Sequence, residues 1–319
     1  MGLLVAPAFA QEAPGADPRA VVLAEALAAI DTRAYNRPRI DWTAVQRTTR
    51  ETLAAAPGDE GLTAAICNGL RALDDGHSFY RSPGTGRYCF STSRAHPTTP
   101  EPQNGPIAAV ATSVRWPRLV VRRWSGPWPQ ATIAMNELRA ALVQATAAGS
   151  CGLIVDLRDN TGGNVWPMLA GLAPLYRPGT LQTWVDRDGR ANAVTFDGEW
   201  LRDGDRPIAL RLADMPRIPR PPNFIAVLWG EWTASAGELT ALALAGRPDV
   251  RSFGVPSVGQ TSANTSITLS NGGLLALMGK RVRDRSGRDV DGPLVPDEQT
   301  RMPVDAAQAW LTSQCGDAS

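Results

Sequence analysis

Two short apolar runs, Leu153–Leu157 (LIVDL) and Phe224–Leu228 (FIAVL), do most to limit what this chain can fold into. Neither alternates polar with apolar residues as a strand with one wet face does, so both read as strands covered on each side. Each leads through a turn of small residues into a stretch with helical spacing, Asn164–Leu175 and Ser235–Ala245. Strand followed by helix, repeated, predicts an α/β fold with a layered strand-helix core. Further strands are expected at 107–114 and 119–123, with a helix over Thr132–Ala148. Residues 180–223 are rich in Pro and Arg and carry Asp-Gly turns at Asp188, Asp197 and Asp203, a pattern of hairpins laid over the core.

Upstream the texture differs. Pro18–Ile30, Trp42–Ala56 and Gly61–Leu73 carry apolar residues at helical spacing and predict a small N-terminal helical domain over 18–90. The run PTTPEPQNGP at 97–106 reads as a linker, which leaves 107–319 as the core. Residues Gly2–Ala10 are apolar and end on the small-x-small triplet Ala8-Phe9-Ala10, although no Lys or Arg precedes them. The segment 1–10 is therefore read as a signal peptide and the protein as periplasmic or secreted. Four cysteines allow three pairings, and joining sequence neighbours gives Cys67–Cys89 with Cys151–Cys315.

Charge and composition exclude several classes. Lys+Arg 32 against Asp+Glu 31 leaves no cationic surplus for nucleic acid. No run approaches the roughly 20 apolar residues of a membrane span. No CxxC occurs and the two histidines, His77 and His96, lack ligand spacing, so neither a metal nor another cofactor is expected. Oligomeric state is not legible.

Three segments carry chemistry. In Thr233-Ala234-Ser235-Ala236-Gly237-Glu238 a serine sits where strand becomes helix, beside unpaired N–H groups and the positive end of the helix dipole. The same residues also fit a helix cap, with Glu238 completing a capping box. In Asn160-Thr161-Gly162-Gly163 two glycines before a helix can turn backbone N–H groups outward, as an oxyanion hole requires, or simply supply a turn with positive φ. In Asp74-Asp75-Gly76-His77-Ser78 a tight turn presents an imidazole, the side chain suited to deprotonating a serine near neutral pH. Both histidines precede Ser235, which excludes the Ser…acid…His order of α/β-hydrolases.

Taken in order, IVDLRDNTGG, VLWGEWTASAGELTALALAG, FGVPSVGQTS and a glycine-containing turn ending in LVPD resemble the S41 serine peptidases, the tail-specific proteases and their tricorn-core relatives. The resemblance covers about 107–297, and LDDGHS extends it upstream. It implies a ClpP/crotonase-like layered core, Ser235 as nucleophile, and an oxyanion hole of the Ala236 N–H with Gly162 or Gly163. Tail-specific members place a lysine base about 25 residues after the serine. Here Gly259-Gln260-Thr261 stands there, and the only lysine, Lys280, lies outside the motif. The resemblance is thus to the tricorn-like branch, with His77 as base and Asp291 as the acid that orients it. Glu238 is a rival acid, Asp297 a weaker one, Gln260 an accessory position, and the role of Ser78 is open. No room exists between Phe90 and Ile107 for a PDZ module.

These features imply a serine endopeptidase or peptide hydrolase acting on peptide or unfolded protein through an acyl-enzyme. Turnover is expected to fall below about pH 6.5, where an ordinary imidazole protonates. The alternative is a catalytically inactive binding or scaffold protein on the same fold, its base lost.

Overall fold

A computed structural model describes residues 17–92, 105–111, 115–208, 216–218 and 220–316. The leader at 1–10, most of the linker at 97–106, the end of the strand expected at 107–114 and His96 lie outside the described residues. The chain divides into two compact units. One comprises residues 1–93 with 265–277, the other 94–264 with 278–319.

The first unit holds three helices, α1 (Pro18–Arg33), α2 (Trp42–Ala55) and α3 (Gly58–Arg71). Asp17 and Asp41 cap the first two, each accepting a backbone N–H of the opening turn, and Pro18 occupies the first helical position, where its missing N–H costs nothing. The third begins three residues earlier than its apolar pattern, because Asp59 and Glu60 suit the positive end of the dipole. Leu23, Ala26, Leu27 and Ile30 of α1 pack with Leu62, Ile66 and Leu70 of α3. A hairpin follows, β1 (Phe79–Arg81) and β2 (Tyr88–Phe90), with Tyr80 turned into this core and the Cys67–Cys89 disulfide fastening it to α3. Residues 265–277 join the same unit: Leu274–Ala276 pair antiparallel with β1, and Leu269, Leu275 and Leu277 fill its core.

The second unit is the layered core. Its sheet contains β3 (Ala108–Ala111), β4 (Arg118–Val121), β5 (Gly152–Asp156), β10 (Phe224–Trp229), β11 (Val250–Gly254) and β15 (Glu298–Gln299), in the order β15-β11-β10-β5-β4-β3. All neighbours are parallel except β3 with β4. Side chains alternate between two covered faces. Leu153, Val155, Ile225 and Val227 meet α4 (Trp128–Thr146), α5 (Val165–Gly171) and α6 (Ala236–Leu244) in one core. Ile154, Ala226, Leu228 and Phe253 meet α7 (Pro303–Cys315) in the other. Burial on both sides is why the two runs lack alternation. Between α5 and β10 runs an antiparallel meander of β6 (Gly179–Asp186), β7 (Ala191–Phe196), β8 (Leu201–Asp203) and β9 (Arg206–Pro207), turning at the three Asp-Gly pairs. After β12 (Ser262–Thr268), strand β13 (Leu274–Arg283) places Lys280–Arg283 against β6 and pairs with β14 (Asp289–Val290). The second disulfide joins Cys151, at the entry to β5, with Cys315 at the end of α7. Both cysteine pairs are those expected from sequence order.

Candidate active site

The C-terminal ends of β5 and β10 lie side by side, and the turns that leave them are interlocked. Ser235, between β10 and α6, has φ 51° and ψ −119°, a conformation that for a residue with a Cβ costs about 1–3 kcal/mol. Two buried side chains hold it there. Thr233 accepts the Gly230 N–H and donates to the Leu157 carbonyl, both at 2.9 Å. Glu238 reaches back to accept the Ser235 N–H at 2.8 Å. Ala236 opens the helix, so its N–H has no carbonyl four residues earlier within that helix.

The turn after β5 packs directly on this elbow. Asn160 is wholly buried. Its side-chain oxygen accepts the Gly162 N–H at 2.9 Å, its amide donates to Val121, and its own carbonyl accepts the Ala234 N–H at 3.0 Å. Gly162 (φ 98°) approaches so closely that a Cβ there would stand 2.8 Å from the Ser235 Cβ and 3.1 Å from the Ala236 nitrogen. Gly163 (φ 112°) is bridged to Trp124, whose carbonyl accepts the Asn164 N–H at 2.8 Å. Gly162 therefore gives its N–H to Asn160, whereas the exposed Gly163 N–H has no acceptor among the described residues.

Glu238 is wholly buried. One oxygen accepts the Ser257 hydroxyl at 2.5 Å and the Gly259 N–H at 2.7 Å, the other the Ser235 N–H. Burial pushes its pKa up to about 7, against the pull of those donors and the Gln260 N–H. With its oxygens so occupied, Glu238 works as a tie between segments. Asp297 is likewise engaged, accepting the Ser252 N–H and hydroxyl at 2.9 and 2.7 Å. Asp291 differs from both: its side chain is 73% exposed and pairs with Arg281 at 3.2 Å. Gln260 meets Glu238 through its backbone. Lys280 lies 5.7 Å from the centre of the Trp184 ring.

In the helical unit, Asp75 ties the turn that carries His77. Its carboxylate accepts the N–H groups of His77 (3.0 Å) and Ser78 (2.8 Å) and the hydroxyls of Ser78 (2.6 Å) and Ser91 (2.5 Å). Asp74 and Gly76 take positive φ on either side, and His77 is buried. Ser78 thus has a structural partner in Asp75.

The family model for peptidase family S41 matches residues 127–300, more than half of the chain. The chain belongs to peptidase family S41. The match contains Ser235, both glycines, Glu238, Gln260 and Asp291, and begins after His77. This S41 chain is 36% identical over 197 residues to the nisin-resistance protein of Lactococcus lactis, a span of 61% of this chain and 60% of that one. It is 28% identical over 173 residues to a carboxyl-terminal-processing protease of Synechocystis, covering 54% of this chain and 36% of the other. It spans less than two thirds of either relative. Among solved structures, a lipoprotein from Streptococcus agalactiae superposes with a TM-score of 0.75 at 22% identity, over 98% of this chain and all of the other, which establishes the shared fold.

The bracing roles of Asn160 and Thr233 are not legible from their residue types. An uncharged side chain bonding to carbonyls of distant turns leaves no spacing to recognise. The signal available was position: each falls within a turn that follows a buried strand.

Proposed function

We propose that this S41 chain is an active, exported serine peptidase acting on peptide or unfolded protein through an acyl-enzyme. The observation that carries the reading is the constrained Ser235 backbone, with the Ala236 N–H at the helix start and the Gly162–Gly163 turn against it. In the proposed reaction the Ser235 Oγ attacks the scissile carbonyl carbon while His77 takes its proton. The Ala236 and Gly163 N–H groups hold the oxyanion, a contribution typically worth about 3–4 kcal/mol per donor. Collapse breaks the C–N bond and His77 returns the proton to the departing amine. Water then repeats the sequence and frees Ser235. Asp291 orients the imidazolium: it is exposed and pairs with Arg281, whereas Glu238 and Asp297 are taken up by backbone N–H and serine hydroxyl donors. Two disulfides support export, since such bonds persist in oxidising compartments. Likeness to a nisin-resistance protein and a carboxyl-terminal-processing protease supports a peptide substrate.

A second reading, a binding protein on this fold that has lost its base, is favoured by Gln260 at the place of the lysine. Labelling with a fluorophosphonate probe separates the two. Wild type labelled at one site, with Ser235→Ala and His77→Ala unlabelled, is the expected result. Wild type that stays unlabelled establishes the binding protein.

A further inference from the structure

The loop after β11 lies between two segments that the proposed chemistry needs. On one side is the nucleophile elbow, 233–238. On the other is 290–297, which bears Asp291. Hydrogen bonds join all three. Val258 N–H donates to the Thr233 carbonyl at 3.0 Å, and Ser257 N–H to the Leu294 carbonyl at 3.1 Å. The Thr261 hydroxyl donates to the Gly292 carbonyl at 2.9 Å, and Gly259 sits so close that a Cβ would stand 2.9 Å from Pro293. One path crosses the whole stack. Leu294 N–H donates to the Ser257 Oγ at 2.7 Å, Ser257 donates its hydroxyl proton to Glu238 at 2.5 Å, and Glu238 accepts the Ser235 N–H at 2.8 Å. Ser257 is 6% exposed and Glu238 0%, so water does not compete for these bonds.

Resting on the reading of Ser235 as nucleophile, we infer that Glu238 is a positioning residue, which through Ser257 sets the Ser235 elbow and the Asp291-bearing segment in one register. The loop that would hold a lysine in tail-specific relatives serves here as the spacer between nucleophile and acid. Once ionised, the Glu238 carboxylate suits that place because both its oxygens accept and neither donates. Glutamine, of nearly equal size, would turn an NH2 toward a donor on one side or the other. Glu238 touches no reacting atom, so its loss is expected to slow acylation and leave substrate binding largely intact.

The test compares wild type, Glu238→Gln, Ser257→Ala and the double variant. It measures fluorophosphonate labelling rate, kcat and KM on a peptide substrate, and amide hydrogen exchange at Ser235, Gly259 and Leu294. Glu238→Gln is expected to lower labelling rate and kcat by roughly tenfold to a hundredfold with KM within about twofold. Ser257→Ala should lower them by about threefold to tenfold, and the double variant should be no slower than Glu238→Gln alone. Faster exchange at Leu294 in Glu238→Gln, two bonds from the substitution, is the signature of the path. Should Glu238→Gln fail to fold, Ser257→Ala carries the test. Either folded variant labelled at the wild-type rate overturns the inference, as do additive losses. A wild type that is never labelled removes the nucleophile reading and the inference together, and so is distinct from active wild type with unaffected variants.

Discussion

Two turns in this molecule are each tied by a single carboxylate, on opposite plans. Asp75 gathers its donors close at hand, from His77 and Ser78, with Ser91 added by the neighbouring hairpin. Glu238 gathers one donor from its own helix start and the rest from a loop about twenty residues away. The first tie is part-exposed and can form as soon as its own residues meet. The second is wholly buried and exists only after two turns and a loop have come together. A local knot fixes the direction of one side chain. A long-range knot fixes the relation between segments, and it pays in desolvation, which is why Glu238 titrates near neutrality.

Several measurements would break or sharpen that contrast. The largest effects belong to the groups the knots present: Ser235→Ala and His77→Ala should each lower peptide turnover by at least about a thousandfold. Turnover surviving either change would remove the reason for comparing the two turns.

Next comes stability against pH. The pKa of Glu238 is raised from 4.5 to about 7, so the folded chain keeps a proton that the unfolded chain releases. The sign follows: this contribution is fully present below about pH 4.5 and is lost as pH rises through about 7. Its size is on the order of 3 kcal/mol over that window. Urea midpoints of wild type relative to Glu238→Gln, followed from pH 4.5 to 8, should therefore converge or reverse, and a constant difference would refute the assignment.

Gly162→Ala should cost roughly tenfold to a hundredfold in kcat, since its φ of 98° and the 2.8 Å approach to Ser235 both resist a side chain. Wild-type kcat in that variant would mean the elbow yields more easily than its packing indicates. Asp75→Asn leaves one acceptor oxygen in place, and about 1–2 kcal/mol of local stability should be lost, read by hydrogen exchange at His77 and Ser78. Smallest of all, Lys280→Met should leave kcat within about twofold, and a larger fall would return the lysine to the mechanism.

Much of this was legible in the sequence because it depends on near neighbours. The runs at 153–157 and 224–228 announce covered parallel strands, and the Asp-Gly pairs mark the meander turns where the chain reverses. The DDGHS turn and the serine at the strand-to-helix junction could be read in the same way. What stayed hidden depends on partners far away in the chain. That Gly162 spends its N–H on Asn160 while Gly163 does not is decided by Asn160, whose orientation is set by Val121 and Ala234. Glu238 takes the capping-box bond that its spacing predicts, accepting the Ser235 N–H, but nothing near it in sequence reveals that Ser257 and Gly259 return to it as well. Residues 265–277 read as part of the core, yet they pack with the helices through Leu269, Leu275 and Leu277, since cross-strand pairing carries no spacing signal. The helix expected over 164–175 stops at Gly171, where the backbone presses on Leu138, and continues only as a short 3-10 turn at Ala173–Leu175.

The clasp between Cys151 and Cys315 spans 164 positions, and a closure of that length removes about 5 kcal/mol of freedom from the denatured chain. It binds α7, which packs against β5, β10 and β11 on one face of the sheet, to the entrance of the strand at the sheet's middle. Material produced where thiols stay reduced forgoes that contribution, and handling it with dithiothreitol does the same. Oxidising expression and reductant-free buffers are accordingly part of defining the native protein, and a batch lacking the clasp would report on a looser molecule.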